Sequence, residues 1–357
     1  MVGAAVSRTG AQGEFGADYA RGLELWRDQV NAAGGLLGRR VELRLFDDGS
    51  QAVNAGPLYQ RLMREEKADL LIGPYGSAAT LIAASEAERA RRVMINAAGP
   101  ASAVHSREPK YLFQSSLPYA SYGTGVLQIA ADNGYRRLLI LARDDGASRD
   151  MAQGMQRAAQ RDFAVQGLEV YRPGTTDFSL QVKKAREVDA EAWIAFGDAN
   201  DAAEMVKTFK RLNYAPQLFF ARGASHPRFV KLLGQDAEWS LGSIDFDPRL
   251  VPAARVFALA YAEKWKVAPT LPAAEGYAAG TVLAAAVRAA GSLDQERIRA
   301  ALAEIEIATV FGDYKVAPEN GVQIGAKPQV VQIRKGRPEQ GNPLLPYPQW
   351  DERALIR

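Results

Sequence analysis

Short apolar segments alternate with amphipathic helical segments from residue 2 to about residue 221, and no other feature constrains the fold as strongly. The first strand is predicted at 2–6 (VGAAV), and the next segment carries Tyr19, Leu23, Trp26 and Val30 at helical spacing. Strands and helices that alternate in this way predict parallel sheets covered by helices on both faces. A chain of 357 residues is too long for one ordinary core, so we predict two doubly wound α/β domains.

The pattern changes after residue 221. A strand is predicted at 240–248, two alanine-rich helices at 252–266 and 272–290, and a late strand at 327–336. The proline-rich segment 342–350 is predicted to be a surface strap. Because no low-complexity linker separates the halves, we expect several crossing strands between the domains rather than one flexible tether.

Composition excludes several classes of function. The net charge is only +3, from 44 basic and 41 acidic residues, and no basic stripe is interleaved with aromatic residues, so nucleic acid is not an expected partner. Cysteine is absent, which removes disulfides, thiolate metal sites and thiol nucleophiles. No apolar run approaches the roughly 20 residues of a membrane helix.

The glycines of TGAQGEFG do not form a dinucleotide site. Gly10, Gly13 and Gly16 follow a G-x-x-G-x-x-G pattern, whereas the dinucleotide fingerprint is G-x-G-x-x-G with an acid about 20 residues later. The candidate acids Asp47 and Asp48 lie too far along the chain. We therefore expect no nucleotide cofactor, and no cofactor of any other kind.

Catalytic and metal-binding patterns are also missing. Ser77 lacks the G-x-S-x-G context of a hydrolase nucleophile, and the two histidines, His105 and His226, have no partner at a useful spacing. The pair Asp144–Asp145 follows a strand and has two interpretations, a metal site or a loop with a helix N-cap, of which we favour the cap. The expectation is a protein that is not an enzyme and holds no metal.

The segment DLLIGPYGSAAT, residues 69–80, runs from a buried strand directly into a predicted helix. Ser77 is a good N-cap residue, and capping is one complete interpretation of it. The other is that Ser77 and the first backbone amides, left uncovered by small neighbours, bind an anion such as a carboxylate. A similar opening follows the next strand at 96–102 (NAAGPAS), so two adjacent strand ends are predicted to face one crevice.

Three stretches together resemble a known family: TGAQGEFGADYARG, VNAAGGLLGRRVELRLFDD and LLIGPYGSAAT. They are similar to the solute-binding proteins of branched-chain amino-acid ABC importers, which have the type I periplasmic binding protein fold. The resemblance implies two doubly wound α/β lobes joined by three crossing hinge strands, with the ligand in a cleft between them. The lobes are expected at 1–117 with 247–325, and at 118–246 with 326–357.

The same resemblance implies where the ligand binds. Phe15 would pack against it, the main chain and hydroxyl after the third and fourth strands would hold its carboxylate, and Tyr277 would line the near wall. The second lobe would contribute residues from four loops. The full predicted set is Phe15, Tyr75, Gly76, Ser77, Ala98, Gly99, Tyr119, Ser148, Asp198, Ala199, Arg222 and Tyr277.

Two positions depart from the amino-acid-binding pattern. Tyr119 and Arg222 stand where the family commonly has an acid for the ligand's ammonium group. A buried arginine would repel that ammonium, which favours a carboxylic acid without one, aromatic or dicarboxylic. The alternative is that Asp198 or Asp201 neutralises Arg222 and an ordinary amino acid binds.

The function that follows is an extracytoplasmic solute-binding protein that delivers a small carboxylate to an ABC permease in the inner membrane. We expect a monomer in the periplasm, with an export signal that is not part of this sequence. A cytoplasmic ligand-sensing regulator on the same fold is the alternative, since only the exported form needs a signal segment.

Overall fold

The computed structural model describes residues 1–249 and 251–339. The segment predicted as a proline-rich strap, 342–350, lies outside the described residues. The chain divides into two compact units, here called unit 1 and unit 2. Unit 1 contains Met1–Pro118 and Asp245–Lys327, and unit 2 contains Tyr119–Ile244 and the described residues that follow Lys327. The chain therefore passes between the units three times, at points within two residues of the predicted boundaries 117, 246 and 325.

Unit 1 begins with alternating strands and helices, as the sequence pattern predicts. In chain order they are β1 (Val2–Val6), α1 (Gly13–Ala32), β2 (Leu43–Asp47), α2 (Ala55–Arg64), β3 (Leu70–Ile72), α3 (Ser77–Arg89), β4 (Met94–Asn96) and β5 (Leu112–Gln114). The strands form one parallel sheet in the order β2-β1-β3-β4-β5. Tyr19, Leu23, Trp26 and Val30 are buried on one face of α1, as their spacing predicts.

Unit 2 repeats the arrangement. It contains α4 (Thr124–Asp132), β6 (Arg137–Arg143), α5 (Gly146–Ala159), β7 (Ala164–Tyr171), α6 (Ser179–Glu187), β8 (Ala192–Phe196), α7 (Ala199–Arg211), β9 (Leu218–Ala221), α8 (Pro227–Leu233) and β10 (Leu241–Ile244). The chain then returns to unit 1 and forms α9 (Pro252–Trp265), α10 (Leu271–Ala290), α11 (Gln295–Glu304), β11 (Ile307–Thr309) and β12 (Gly312–Tyr314).

Two late strands, β13 (Gln329–Arg334) and β14 (Arg337–Glu339), complete the sheet of unit 2. Its order is β14-β13-β10-β9-β8-β6-β7, with β13 antiparallel to both of its neighbours, β10 and β14, and the remaining pairs parallel. The central strand β8 is buried along its whole length, which explains its continuous apolar sequence AWIAF. Two parallel α/β units of this kind confirm the predicted fold class.

The core of unit 1 includes the contact between α1 and α10. Gly22 and Gly276 allow it, because a Cβ at Gly22 would lie 2.0 Å from the carbonyl oxygen of Ala273, and one at Gly276 would lie 2.4 Å from that of Tyr19. Among the described residues, no helix is long and apolar enough to cross a lipid bilayer.

Candidate functional site

The strand order of unit 1 brings two loops to one edge of the sheet. The order β2-β1-β3-β4-β5 reverses direction between β1 and β3, and the loops after these neighbouring strands lead into α1 and α3. In open parallel sheets, ligands bind outside the carboxyl ends of the strands at such a reversal point. Phe15 in the first turn of α1 and Tyr75–Ser77 before α3 therefore belong to the same edge.

The N-terminus of α3 is built by Gly76. This residue is the N-cap, with φ 90° and ψ 143°, a backbone conformation that favours glycine. Its amide donates to the carbonyl of Ala98 at 3.0 Å, and Tyr75 forms a parallel bridge with Ala98. These contacts fix the turn after β3 against the turn after β4, so the predicted residues Tyr75, Gly76, Ser77 and Ala98 do come together.

The first amides of α3 have no partner within the described ranges 1–249 and 251–339. The helix has no side-chain cap, and the first amide of this segment with a backbone acceptor is that of Thr80, which donates to Gly76 at 3.0 Å. The amides of Ser77, Ala78 and Ala79 are the donors left over. They carry the positive end of the helix dipole and suit an anion.

Ser77 is not the N-cap, so the capping interpretation is wrong. It is the first residue of α3, and its hydroxyl oxygen accepts a hydrogen bond from the amide of Ala101 at 3.1 Å. A serine hydroxyl that accepts in this way keeps its own proton available for donation. The side chain is half-buried, and it links the two turns while offering a fourth donor at the helix N-terminus.

The turn after β4 is held by Asn96. Its side-chain amide donates to the carbonyl of Gly99 at 2.9 Å, and its side-chain oxygen accepts from the amide of Gly99 at 2.9 Å. A Cβ at Gly99 would lie 2.8 Å from both that oxygen and the Thr80 side chain, so this position requires glycine. Gly99 therefore shapes the turn and is itself buried.

His105 holds the same turn in place through the side chain of Asn96. One ring nitrogen lies 3.0 Å from the Asn96 side-chain amide and the other lies 2.8 Å from the carbonyl of Asn320. The Asn320 contact requires Nδ1–H, which leaves Nε2 as the acceptor, so the ring is neutral. Burial lowers the pKa of His105, in keeping with this role.

Aromatic rings lie beside the open amides. The Phe15 ring is 51% exposed and stacks on Tyr75, with centroids 5.9 Å apart and planes at 21°. Tyr75 also contacts Tyr19, whose ring centroid is 6.2 Å away and whose hydroxyl donates to the carbonyl of Gly73 at 2.7 Å. An exposed phenylalanine held in this way offers an apolar surface next to an anion-binding helix end.

Tyr277 does not join this group. The hydroxyl of Thr270, just before α10, donates to Asp18 at 2.8 Å, so the start of α10 lies beside the first turns of α1. Tyr277 lies two helical turns after Thr270. Its ring is tilted against that of Phe257, with centroids 4.6 Å apart, and its hydroxyl donates a hydrogen bond to the Gln29 side chain at 2.7 Å. Along α1, Gln29 is about 21 Å from Phe15 at 1.5 Å per residue. The predicted near wall at Tyr277 is therefore not at this edge of the sheet.

Unit 2 has its own reversal point, between β6 and β8. The loops after these strands lead into α5 and α7, and they carry Ser148, Asp198 and Ala199. Unlike α3, both helices are capped by their own carboxylates. Asp145 accepts from the amide of Ser148 at 2.9 Å, and Asp198 accepts from the amides of Asn200 and Asp201 at 2.8 and 3.1 Å.

Capping changes the interpretation of two predicted residues. The Ser148 hydroxyl donates to Asp145 at 3.0 Å and the residue is only 6% exposed, so its side chain supports the cap rather than facing a ligand. Ala199 is likewise 6% exposed and packs in the core of unit 2. For Asp144 and Asp145, the structure agrees with the cap interpretation, since Asp144 pairs with Arg149 at 2.7 Å.

Arg143, at the end of β6, connects the two capped helices and was missed by the sequence analysis. Its guanidinium pairs with Asp145 at 2.9 Å, contacts Asp198 directly and lies 3.8 Å from Asp201. Burial raises the pKa of Asp201, and the neighbouring Asp198 charge adds to this effect. Burial would also raise the pKa of Asp145, but hydrogen bonds from Ser148 and the charge of Arg143 outweigh it and lower that pKa.

Arg222 and Tyr119 both contact the ring of Tyr122. The Arg222 guanidinium lies 5.3 Å from the centroid of Tyr122, and the Tyr119 ring lies edge-on to the same ring at 5.8 Å. Asp198 and Asp201 both lie beside Arg143, which contacts Asp198 directly and is 3.8 Å from Asp201, so their ion-pair partner is Arg143. The alternative ligand, an ordinary amino acid, stays a prediction.

Two α/β units, each built on an open sheet whose strand order reverses at one point, have the architecture of the type I periplasmic binding fold. The chain belongs to the periplasmic binding protein family, whose family model matches residues 1–338. This confirms the resemblance that the sequence motifs indicate.

Known relatives are distant but cover most of the chain. An "Amino acid binding protein" of Pseudomonas aeruginosa is 24% identical over 330 residues, which span 87% of this chain and 84% of the relative. A crystal structure of a "putative branched-chain amino acid ABC transporter" from Rhodospirillum rubrum superposes with a TM-score of 0.86 at 22% identity, covering 95% of this chain and 99% of that one. A solute-binding protein from R. palustris in complex with benzoate has a TM-score of 0.66 at 19% identity, with 97% and 96% covered.

Proposed function

We propose that the chain is the solute-binding component of an ABC importer, and that its ligand is an organic carboxylate without an α-ammonium group. The observation that carries the proposal is the uncapped N-terminus of α3, where three neighbouring amides lack a partner among the described residues and the Ser77 hydroxyl keeps its own proton for donation. Charge-assisted hydrogen bonds of this kind contribute about 1.5–3 kcal/mol each, so two or three of them would dominate recognition of a small anion.

The aromatic surface supports an apolar or aromatic body for the ligand. Phe15 is exposed and fixed by Tyr75 directly beside the helix end. A ring or short hydrocarbon chain attached to the carboxylate would cover it, and burying its apolar area would add about 25 cal/mol per Å². The benzoate complex of the R. palustris protein is a precedent within the same fold.

The absence of an ammonium group is proposed from the sequence of unit 2. Tyr119 and Arg222 stand where the family commonly has an acid for that group. The Arg222 guanidinium lies 5.3 Å from the centroid of the Tyr122 ring, and the Tyr119 ring lies 5.8 Å from the same centroid.

A ligand screen with matched pairs tests the proposal. Melting temperatures would be measured with benzoate, 3-phenylpropanoate and 4-methylpentanoate, and with phenylalanine and leucine as the matched amino acids, followed by titration calorimetry of the best ligands. A ligand at about 100 times its Kd adds about 2.7 kcal/mol of stability, which such a screen detects. Strong stabilisation by leucine or phenylalanine, with none by the deaminated acids, would contradict the proposed ligand class.

The transport role has a separate test. We propose that the protein works in the periplasm as a monomer, does not transform its ligand, and delivers it to a permease of the inner membrane. Deletion of the gene should abolish uptake of the radiolabelled ligand at low concentration, and the purified protein should return the ligand chemically unchanged. Uptake that persists at the wild-type rate in the deletion strain would contradict the role in import.

A further inference from the structure

The loop after β2 is tied to the loop after β1 by side-chain hydrogen bonds. The two strands are neighbours in the sheet of unit 1, and Val6 at the end of β1 is paired with Asp47 at the end of β2. The chain that follows β1 therefore runs beside residues 47–50 (DDGS), here called the β2 loop, at the carboxyl edge of the sheet.

Asp47 makes most of these hydrogen bonds. Its Oδ1 accepts from the amides of Arg8, Thr9 and Gly49 at 2.9, 3.3 and 2.9 Å, and its Oδ2 accepts from the Thr9 hydroxyl at 2.7 Å. Burial would raise the pKa of Asp47, but hydrogen bonds from Gly49, Thr9 and Arg8 outweigh it and lower that pKa. The side chain is therefore an ionised acceptor, which strengthens each of these hydrogen bonds.

Ser50 continues the connection towards α1. Its hydroxyl oxygen accepts from the amide of Gln12 at 3.0 Å, and its hydroxyl donates to the carbonyl of Thr9 at 2.6 Å. Gly10 allows the two loops to approach, because its φ is 80° and a Cβ there would lie 2.6 Å from the carbonyl oxygen of Gly49. The segment between Thr9 and Gln12 is thus held against the β2 loop at both of its ends.

The first turn of α1, which carries Phe15, starts directly after this segment. Gln12 is the N-cap of α1, and its carbonyl accepts from the amide of Gly16 at 2.9 Å. Phe15 follows Gln12 by three residues, and its exposed ring stacks on Tyr75 beside the open amides of α3. The position of the ring therefore depends on where the β2 loop holds Gln12.

We propose that Asp47 and Ser50 are positioning residues for ligand binding, which hold residues 8–12 so that the Phe15 ring is in place before the ligand arrives. They act through Phe15 and are not ligand contacts themselves. A segment that is already ordered does not have to lose conformational freedom on binding, so the affinity is higher than it would be with a mobile loop. The inference rests on the proposed function, because it requires that the ligand contacts Phe15.

A double-mutant cycle between Asp47 and Phe15 tests the proposal. Kd values for benzoate, 3-phenylpropanoate and 4-methylpentanoate would be measured by calorimetry for the wild-type protein, Asp47→Ala, Phe15→Ala and the double variant. Asp47→Ala should raise Kd about tenfold in the wild-type background, the equivalent of about 1.4 kcal/mol, and less than about twofold in the Phe15→Ala background. Equal increases in the two backgrounds would overturn the proposal, since Asp47 would then not act through Phe15.

Asp47→Asn is the conservative variant. Its side-chain oxygen can still accept from the amides of Arg8, Thr9 and Gly49, and its amide group can donate to the Thr9 hydroxyl. It should bind the same acids within about twofold of the wild-type protein. A loss of affinity as large as that of Asp47→Ala would assign the effect to the negative charge and contradict the positioning role.

Asp294→Ala is the matched control. Asp294 is also an exposed aspartate that accepts from a backbone amide, that of Arg297 at 3.0 Å at the start of α11. The adjacent Gln295 accepts from the amide of Val93 just before β4, so Asp294 lies at the opposite edge of the unit 1 sheet. Asp294→Ala should lower the melting temperature of the unliganded protein without changing Kd.

Ser50→Gly provides a second variant in case Asp47→Ala does not fold. The φ of Ser50 is 61°, a conformation that glycine adopts without strain, so the change removes the hydroxyl and leaves the backbone free to keep its path. Binding should weaken in the wild-type background and change little in Phe15→Ala, as for Asp47→Ala.

Failure of the positioning role and failure of the proposed function give different results. If Phe15→Ala weakens binding but Asp47→Ala and Ser50→Gly bind as tightly as the wild-type protein, the positioning role is refuted while the proposed function stands. If the wild-type protein binds none of the three acids, the proposed ligand class fails and the positioning role fails with it.

Discussion

Replacing Ser77 by alanine separates ligand binding from helix capping. In the structure the Ser77 hydroxyl accepts from the Ala101 amide at 3.1 Å and makes no hydrogen bond to an amide of its own helix. The substitution removes one neutral hydrogen bond between two turns, which costs about 0.5–1.5 kcal/mol of folding stability. It also removes one donor to the bound anion, which costs about 1–3 kcal/mol of binding free energy, a 5- to 150-fold rise in Kd.

The assay is calorimetric titration of the best carboxylate together with the melting temperature of the unliganded protein. Ser85→Ala is the matched control, because Ser85 lies in the same helix, is exposed and donates only to the carbonyl of Leu81 at 3.0 Å. Ser77→Ala should weaken binding far more than Ser85→Ala, with a similar small change in melting temperature. Unchanged affinity with a lowered melting temperature would refute the role of Ser77 in binding.

Three further predictions follow from the same edge of unit 1. Gly99→Ala would place a Cβ 2.8 Å from the Asn96 side-chain oxygen, so the turn must shift, which should cost about 1–3 kcal/mol of folding stability and weaken ligand binding. Gly56→Ala is the control, because the nearest atom to its new Cβ is 3.4 Å away. Denaturant titrations should show a loss of stability in Gly99→Ala only, and ligand affinity should fall in that variant only. Burial lowers the pKa of His105 in the folded state below its ordinary value of 6.5, so the unfolded state binds a proton more readily. The free energy of unfolding should therefore be highest above pH 6.5 and decrease as the pH falls below 6.5. Urea midpoints at pH 7.5 and 5 should show this component in the wild-type protein and not in His105→Gln; an identical pH dependence in both would contradict it. Phe15→Ala removes a ring that is 51% exposed, and calorimetry should show a large loss of affinity for aromatic acids with little change in melting temperature, whereas equal affinities would exclude contact between Phe15 and the ligand.

Local sequence patterns predicted the fold well because each strand or helix of this type has a hydrophobic pattern that can be recognised within a short segment. The first strand is predicted at its observed bounds, Val2–Val6, and the apolar stripe of α1 is buried as expected. The hairpin β11–β12 and the edge strand β14 were not predicted. Their strands have three residues each and lie outside the regular alternation of strands and helices that indicates the other short strands, β3, β4 and β5.

The site was predictable where it depends on the main chain of one segment. The Tyr75-Gly76-Ser77 turn precedes α3 because glycine alone adopts the Gly76 conformation easily, and small residues after it leave the amides uncovered. The error about capping was one of register, since Gly76 and not Ser77 is the N-cap.

The site was not predictable where it depends on partners distant in sequence. Arg143 and Asp198 are 55 residues apart, and only the pairing of β6 with β8 brings them together. The predicted position of Tyr277 came from the resemblance alone. Its observed position follows from the packing of α10 along α1, which places Tyr277 beside Gln29 and about two helical turns beyond Thr270. Ser148 lies in the predicted loop, but the direction of its hydroxyl is set by Asp145.

The central claim is that the exposed amides of α3 bind the carboxylate of the ligand. A crystal structure of the protein with its tightest carboxylate tests this most directly. We expect carboxylate oxygens within about 3.2 Å of the amides of Ser77 to Ala79 and of the Ser77 hydroxyl. A ligand whose carboxylate lies elsewhere, with those amides bound to water or side chains, would contradict it.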